Sequence, residues 1–180
     1  MIIRKLYKIE SAHIVKNAYS KRCSQNYHGH SGKIEVFLKC LELDNAGMVI
    51  DFGKLKNEIG SFVDMFDHSI HLYKDDENKD FFITNNERYL ILPCNPTAEN
   101  YAILFRDCIE QLLEDLDYTN GEGFVQCIGV RYHETDTGYA ESTFDDRQRF
   151  RLEDIKYSQQ TINEASEQLK TIFRRRKICE

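Results

Sequence analysis

The chain has no run of apolar residues approaching the roughly 20 that carry a helix across a bilayer, which argues against a membrane-spanning protein. It has no excess of positive charge either. Lys and Arg number 24 against 30 Asp and Glu, for a formal net charge of -6 and a pI near 5.6. That balance argues against nucleic acid or an anionic membrane as the main partner, while a local basic pocket for a phosphorylated small molecule stays open. The six cysteines, at 23, 40, 94, 108, 127 and 179, form no CxxC pair. No secretory apolar segment follows Met1-Ile2-Ile3-Arg4-Lys5, so free thiols in a cytoplasmic protein are expected rather than a disulfide framework. Internal repeats and low-complexity segments are missing too. With 41% apolar and 30% charged content, the 180 residues are expected to form one globular domain.

What is present is hydrophobic periodicity. Residues 2–9 alternate loosely and residues 32–43 more clearly, with Ile34, Val36, Leu38 and Cys40 on one face, so two antiparallel strands are expected. The first continues past Ser11 to His13, and polar residues 15–27 read as a loop. A turn at Asp44-Asn45-Ala46-Gly47 leads through Asp51-Phe52 to a helix with Leu55, Ile59, Phe62, Val63 and Phe66 on one side, ending at Asp67-His68. Residues 75–86 read as a charged loop and 88–92 as a short strand. A second helix starts at Pro96-Thr97-Ala98-Glu99, with Thr97 a candidate cap, and runs along Tyr101, Phe105, Cys108, Ile109, Leu112 and Leu116. Two further strands are expected at 124–132 and 138–144. This order predicts an α+β fold, an antiparallel sheet covered on one face by two helices. Residues 145–180 are charged and sparsely apolar, and are expected to be a helical extension of the same domain or an oligomer contact. The Arg174-Arg175-Arg176-Lys177 run suits a helix C-terminus.

His28-Gly29-His30 stands at the start of the second strand. Residues two apart point to one face of a strand, so both imidazoles can reach one metal ion, and the glycine between them allows close backbone approach. His13, at the end of the neighbouring strand, is the natural third ligand. Three histidines with an open fourth position form the catalytic rather than the structural zinc pattern.

These pieces coincide, in order and spacing, with one family. Ser11-Ala12-His13, Cys23, His28-Gly29-His30, residues 47–53 (GMVIDFG), Asp67-His68, residues 96–100 (PTAEN) and Glu134-Thr135 together resemble the 6-pyruvoyl tetrahydropterin synthase family, including the 6-carboxytetrahydropterin synthases of queuosine biosynthesis. The resemblance covers residues 3–144. It implies the tunnelling fold, in which sheets from several subunits join in a barrel, and a homo-oligomer, a hexamer of two stacked trimers with active sites at subunit interfaces.

The resemblance also implies roles. His13, His28 and His30 hold Zn2+; Cys23 is the general base; Asp67 and His68 form a relay with it; and Glu134 anchors the pterin through two parallel hydrogen bonds. Thr97 and Glu99 either support the pterin pocket or serve only as cap and first-turn acid. His71 and His133 receive no role, and His71-Leu72 stands where the family pattern has Leu-Asn. The implied reaction is zinc-dependent conversion of 7,8-dihydroneopterin triphosphate to 6-carboxytetrahydropterin, with loss of acetaldehyde and triphosphate. The alternatives are a 6-pyruvoyl tetrahydropterin synthase and a zinc- or pterin-binding protein without turnover.

Overall fold

The computed structural model describes residues 1–117 and 123–178, and Cys179 lies outside them. In chain order the elements are β1 (Ile2–His13), α1 (Lys21–Ser24), β2 (His28–Lys39), α2 (Phe52–Asn57), α3 (Ile59–Asp64), β3 (Ser69–Tyr73), α4 (Lys79–Asn85), β4 (Tyr89–Leu92), α5 (Ala98–Asp115), β5 (Gln126–Thr135) and β6 (Gly138–Thr143). A 3-10 turn (Leu152–Asp154), β7 (Lys156–Tyr157), α6 (Gln159–Glu164) and α7 (Glu167–Arg175) follow. Among the described residues no helix is long and apolar enough to cross a membrane.

The seven strands form one sheet in the order β6-β5-β2-β1-β3-β4-β7. Four of them, β6-β5-β2-β1, pair antiparallel as expected. The other wing corrects the expectation of a purely antiparallel sheet. β3 runs parallel to β1 at Ser11–His13, and β4 runs parallel to β3. β3 escapes a periodicity search because Ser69, Ile70, His71 and Leu72 are all buried, so no alternation marks it. β1 has partners on both sides only at Ser11–His13; residues 2–9 pair with β2 alone.

Other expectations are corrected too, among them the loop expected at 15–27, which contains the one-turn helix α1, and the strand expected at 32–43, which runs over His28–Lys39. The helix expected from Phe52 to Phe66 is two short ones, broken at Glu58 (φ -110°, ψ -64°) close to Gly60, a weak helix former. The charged stretch 75–86 contains α4, a helix with no buried residue and hence no apolar stripe to announce it. β5 reaches Thr135, so Glu134 lies within a strand rather than after one.

One face of the sheet is covered by helices. Ile9, Ile34, Val36, Leu38, Val130 and Tyr132 meet α5 through Tyr101, Leu104, Phe105 and Ile109, and meet the α2–α3 pair through Leu55, Ile59 and Phe62. Removing each such side chain from water contributes about 1.5–3 kcal/mol. α5 begins where expected, with the Thr97 hydroxyl accepting the Asn100 amide at 3.3 Å. The opposite face stays open and polar: Glu35 pairs with Arg4 and His133, while Arg131 lies over the rings of Phe37 and Tyr139.

Residues 145–178 pack on this core. Phe150, Leu152, Ile155, Leu169, Ile172 and Phe173 join the same apolar cluster. The Asp107 carboxylate accepts the amides of Arg149 (2.8 Å) and Phe150 (3.0 Å), and Gln111 donates to the Phe150 carbonyl (3.0 Å). Within the basic run, Arg176 pairs with Asp115 and Glu153.

Candidate metal centre

Strand register assembles the centre. His13 is the direct cross-strand partner of His28, and His30 lies opposite Ser11, so all three imidazoles project from the face that the helices cover. Their ring centroids are 4.8, 4.9 and 5.1 Å apart, and one ligand atom from each lies within 4.8 Å of the others. Gly29 does not owe its identity to close approach. A Cβ there would meet only the Ser11 carbonyl at 3.4 Å, an ordinary contact. The crowded glycine is Gly32, where a Cβ would sit 2.8 Å from the Tyr132 hydroxyl.

Two buried nitrogens, His13 Nε2 and His30 Nε2, have no hydrogen-bond partner. Buried polar atoms are nearly always paired, so two orphans converging on one point fit a metal site. On His28 and His13 a second ring nitrogen is held by backbone, as ligand imidazoles require. His28 Nδ1 meets the Asn26 carbonyl at 3.0 Å, and the Pro96 backbone, whose only hydrogen-bonding group is its carbonyl, bonds His13. Burial, reinforced by the neighbouring His28, His30 and His71, lowers the His13 pKa to about 3. His30 is also lowered, chiefly by burial, against an opposing pull from Glu134. Both are therefore neutral near pH 7, the form that binds zinc.

Behind His13 the ring of Tyr101 stacks nearly parallel, with centroids 6.2 Å apart and planes 15° apart. The Tyr101 hydroxyl meets His71 Nδ1 at 2.6 Å, and His71 Nε2 lies 3.0 Å from both the Phe66 carbonyl and the Ser69 hydroxyl. His71, fully buried and lowered by that burial to about 4, is thus a satisfied core residue supporting the wall of the site. Tyr101 had read only as part of an apolar stripe. Its one distinguishing mark in the sequence is a hydroxyl at a core position, which demands a partner.

The structure brings Glu134 to the centre: its carboxylate lies 3.5 Å from His13 Nε2 and 3.8 Å from His30 Nε2. Cys23 sits half-buried in α1, within the loop that joins His13 to His28. Its carbonyl accepts the Val15 amide at 3.0 Å, tying it to the residue two beyond His13. The five described cysteines are all free thiols.

Asp67 and His68 are held elsewhere. The Asp67 carboxylate accepts the Glu10 amide (2.6 Å) and meets His68 Nδ1 (2.7 Å), and the His68 amide donates to the Glu10 carbonyl (2.7 Å). His68 has φ 48° and an exposed ring. Glu10 is three residues before His13, about 10 Å along a strand. Among the described residues no hydrogen bond or ion pair joins Asp67 or His68 to Cys23 or to the three histidines. Thr97 is the cap of α5, and Glu99 is an exposed first-turn acid. His133 belongs to the open face, 3.1 Å from Glu35.

The model of the family described as 6-pyruvoyl tetrahydropterin synthase matches residues 2–144. The chain belongs to that family. Among curated relatives, a 6-carboxy-5,6,7,8-tetrahydropterin synthase of Helicobacter pylori J99 is 42% identical over 149 residues, covering 81% of this chain and 74% of its own length. The protein of the same name from Bacillus subtilis is 27% identical over 131 residues, 73% of this chain and 77% of its own. Among solved structures, an uncharacterized protein of Wolinella succinogenes superposes with a TM-score of 0.65 at 20% identity, over 81% of this chain and 98% of its own. The 6-pyruvoyl tetrahydropterin synthase of Caenorhabditis elegans superposes with a TM-score of 0.52 at 25% identity, over 79% and 94%. The tunnelling fold of the family is therefore the fold of this chain, and residues 145–180 lie beyond the stretch that the family model matches.

Proposed function

We propose that this protein is a zinc-dependent 6-carboxytetrahydropterin synthase acting on 7,8-dihydroneopterin triphosphate. The observation that carries the reading is the cluster of His13, His28 and His30, with two orphaned, buried imidazole nitrogens facing one point. The names of the relatives from Helicobacter pylori and Bacillus subtilis support the 6-carboxy product over the 6-pyruvoyl one. His13, His28 and His30 would hold the zinc, which would supply Lewis acidity toward a substrate side-chain oxygen and so acidify the adjacent C–H bonds.

The chain's own residues do the rest. Cys23, as thiolate, takes a proton from the substrate carbon beside the pterin ring. Glu134 accepts two parallel hydrogen bonds from the pterin ring N–H and 2-amino group, which orients the side chain of the substrate towards Cys23. Asp67 fixes the tautomer of His68, which relays protons as one water is consumed, the side chain is cleaved, and acetaldehyde and triphosphate depart. The exposed His68 ring, with no hydrogen bond or ion pair to Cys23 among the described residues, supports assigning Asp67 and His68 to a neighbouring subunit's centre. That fits a homo-oligomer, two stacked trimers with interfacial sites, in a cytoplasmic setting.

The test is incubation of zinc-loaded protein with 7,8-dihydroneopterin triphosphate and identification of the products by mass. Acetaldehyde with 6-carboxytetrahydropterin is expected. A 6-pyruvoyl product without acetaldehyde would move the protein to the other branch of the family, and stable zinc binding with no pterin consumed would make it a binding protein. Cys23→Ala is expected to lower kcat by at least 100-fold, of the order of a lost general base, while metal content stays at the wild-type level.

A further inference from the structure

We infer that Asp76, a carboxylate outside the metal centre, is a positioning residue: it clasps both ends of the loop that carries Cys23 and so sets where that thiol stands. This rests on the reading of Cys23 as the general base. The loop runs from Ile14 to Tyr27, between β1 and β2. None of residues 17–26 is buried, and α1 within them is a single turn of four residues. The Cys23 amide donates to the Ser20 carbonyl (3.1 Å) and the Cys23 carbonyl accepts the Val15 amide (3.0 Å), so both bonds stay inside the loop. A segment with so little core packing of its own stands where its ends are held.

Both ends meet Asp76. Its side chain is fully buried, and it accepts the Tyr27 hydroxyl on Oδ2 (2.5 Å) and pairs with the Lys16 ammonium through Oδ1 (3.3 Å). The turn after β3 fixes the carboxylate in turn: Oδ1 accepts the Asn78 amide (2.9 Å), and the Asp76 amide donates to the Tyr73 carbonyl (2.9 Å). A buried carboxylate is costly without partners, so the clasp resists opening. Each end has a second hold. The Tyr27 ring packs on Phe82 of α4, with centroids 4.2 Å apart. The Asn95 side chain accepts the Lys16 amide (3.0 Å) and donates to the Lys16 carbonyl (2.7 Å).

A carboxylate that only closed its own turn would need the Asn78 amide and nothing more. Partners taken from opposite ends of one loop, one on each oxygen, are what holding that loop requires. The three histidines are placed by strand register instead, so the clasp bears on Cys23 rather than on the metal ligands. Proton abstraction depends steeply on placement, since a shift of about 1 Å can cost about 100-fold in rate. Asp76 thus acts on the chemistry through Cys23 without touching the substrate, and the stretch of chain from β3 to α4 serves as the frame of the base.

The experiment compares full-length, zinc-loaded wild type with Tyr27→Phe and Asp76→Ala, each alone and combined with Cys23→Ala. Tyr27→Phe keeps the ring on Phe82 and removes only the hydroxyl, so it reads the clasp even where Asp76→Ala fails to fold. Turnover of 7,8-dihydroneopterin triphosphate, zinc content and amide hydrogen exchange are measured. Expected are a kcat lower by about 10-fold or more with KM little changed, zinc content at the wild-type level, and faster exchange over residues 17–26 with β1 and β2 unaltered. In the Cys23→Ala background the same substitutions should lower the residual rate no further, because the clasp acts through that thiol alone. Wild-type kcat and exchange in Tyr27→Phe, with Cys23→Ala inactive, would overturn the clasp and leave the base standing. An equal fractional loss with and without Cys23 would overturn it as well, reducing Asp76 to a structural residue. Full activity of Cys23→Ala would bring down the reading of the base, and the clasp with it.

Discussion

His71 is the residue whose protonation the fold resists most plainly. Its folded pKa is about 4, depressed by complete burial, against 6.5 in the unfolded chain. Below pH 6.5 the unfolded chain takes up a proton that the folded one refuses, so the stabilisation is complete above pH 6.5 and is lost as pH falls toward 4. For metal-free protein this single group should remove roughly 2–3 kcal/mol of stability between pH 7.5 and 4.5, measured by urea unfolding. His13, lowered to about 3, adds to the same trend. His71→Leu should flatten the dependence and, by orphaning the Tyr101 hydroxyl, cost about 1–3 kcal/mol at pH 7.5. An unchanged acid slope would refute the assignment. Nothing in the sequence distinguished His71 as structural, whereas His13, His28 and His30 were legible because a two-residue period and strand continuity suffice to place them. The approach of Glu134 was not, since it depends on which strand lies beside β2 and on a register shift within β5 and β6.

Elements were readable where one face is buried and the other is wet. α5 combines an apolar stripe with a capping threonine, and its start agrees with the structure. The same threonine gives a prediction at this scale. Thr97→Ala should lower stability by about 1 kcal/mol in chemical denaturation, and Thr97→Ser should restore most of it. Equal loss in both variants would mean that packing of the methyl group, not the hydroxyl, matters there. β3 was illegible for the opposite reason: buried on both faces, it offers no alternation. Yet it supplies the second flank of Ser11–His13. α2 and α3 kept the expected apolar side although Glu58 divides them, because Leu55, Ile59, Phe62 and Val63 are all buried.

For the whole molecule, the reach of the family match and the reach of the core differ. The match ends at residue 144, but Leu152, Ile155, Leu169, Ile172 and Phe173 belong to the central cluster. Each contributes about 1.5–3 kcal/mol on burial, together comparable with the net stability of a typical domain. Removal would also strip partners from the buried Arg106, Asp107 and Gln111 side chains. A chain truncated after Phe144 should therefore be insoluble or unfolded by circular dichroism. A soluble, cooperatively melting fragment would show the extension to be dispensable. Finally, β1 is held between β2 and β3 only over Ser11–His13, where two neighbours clamp its backbone. The ligand frame is thus fastened by the sheet before any ion arrives, in contrast to small zinc modules that collapse around their metal. Dialysis against a chelator should empty the centre yet leave the far-ultraviolet spectrum unchanged, and returning the ion should restore it without a refolding step.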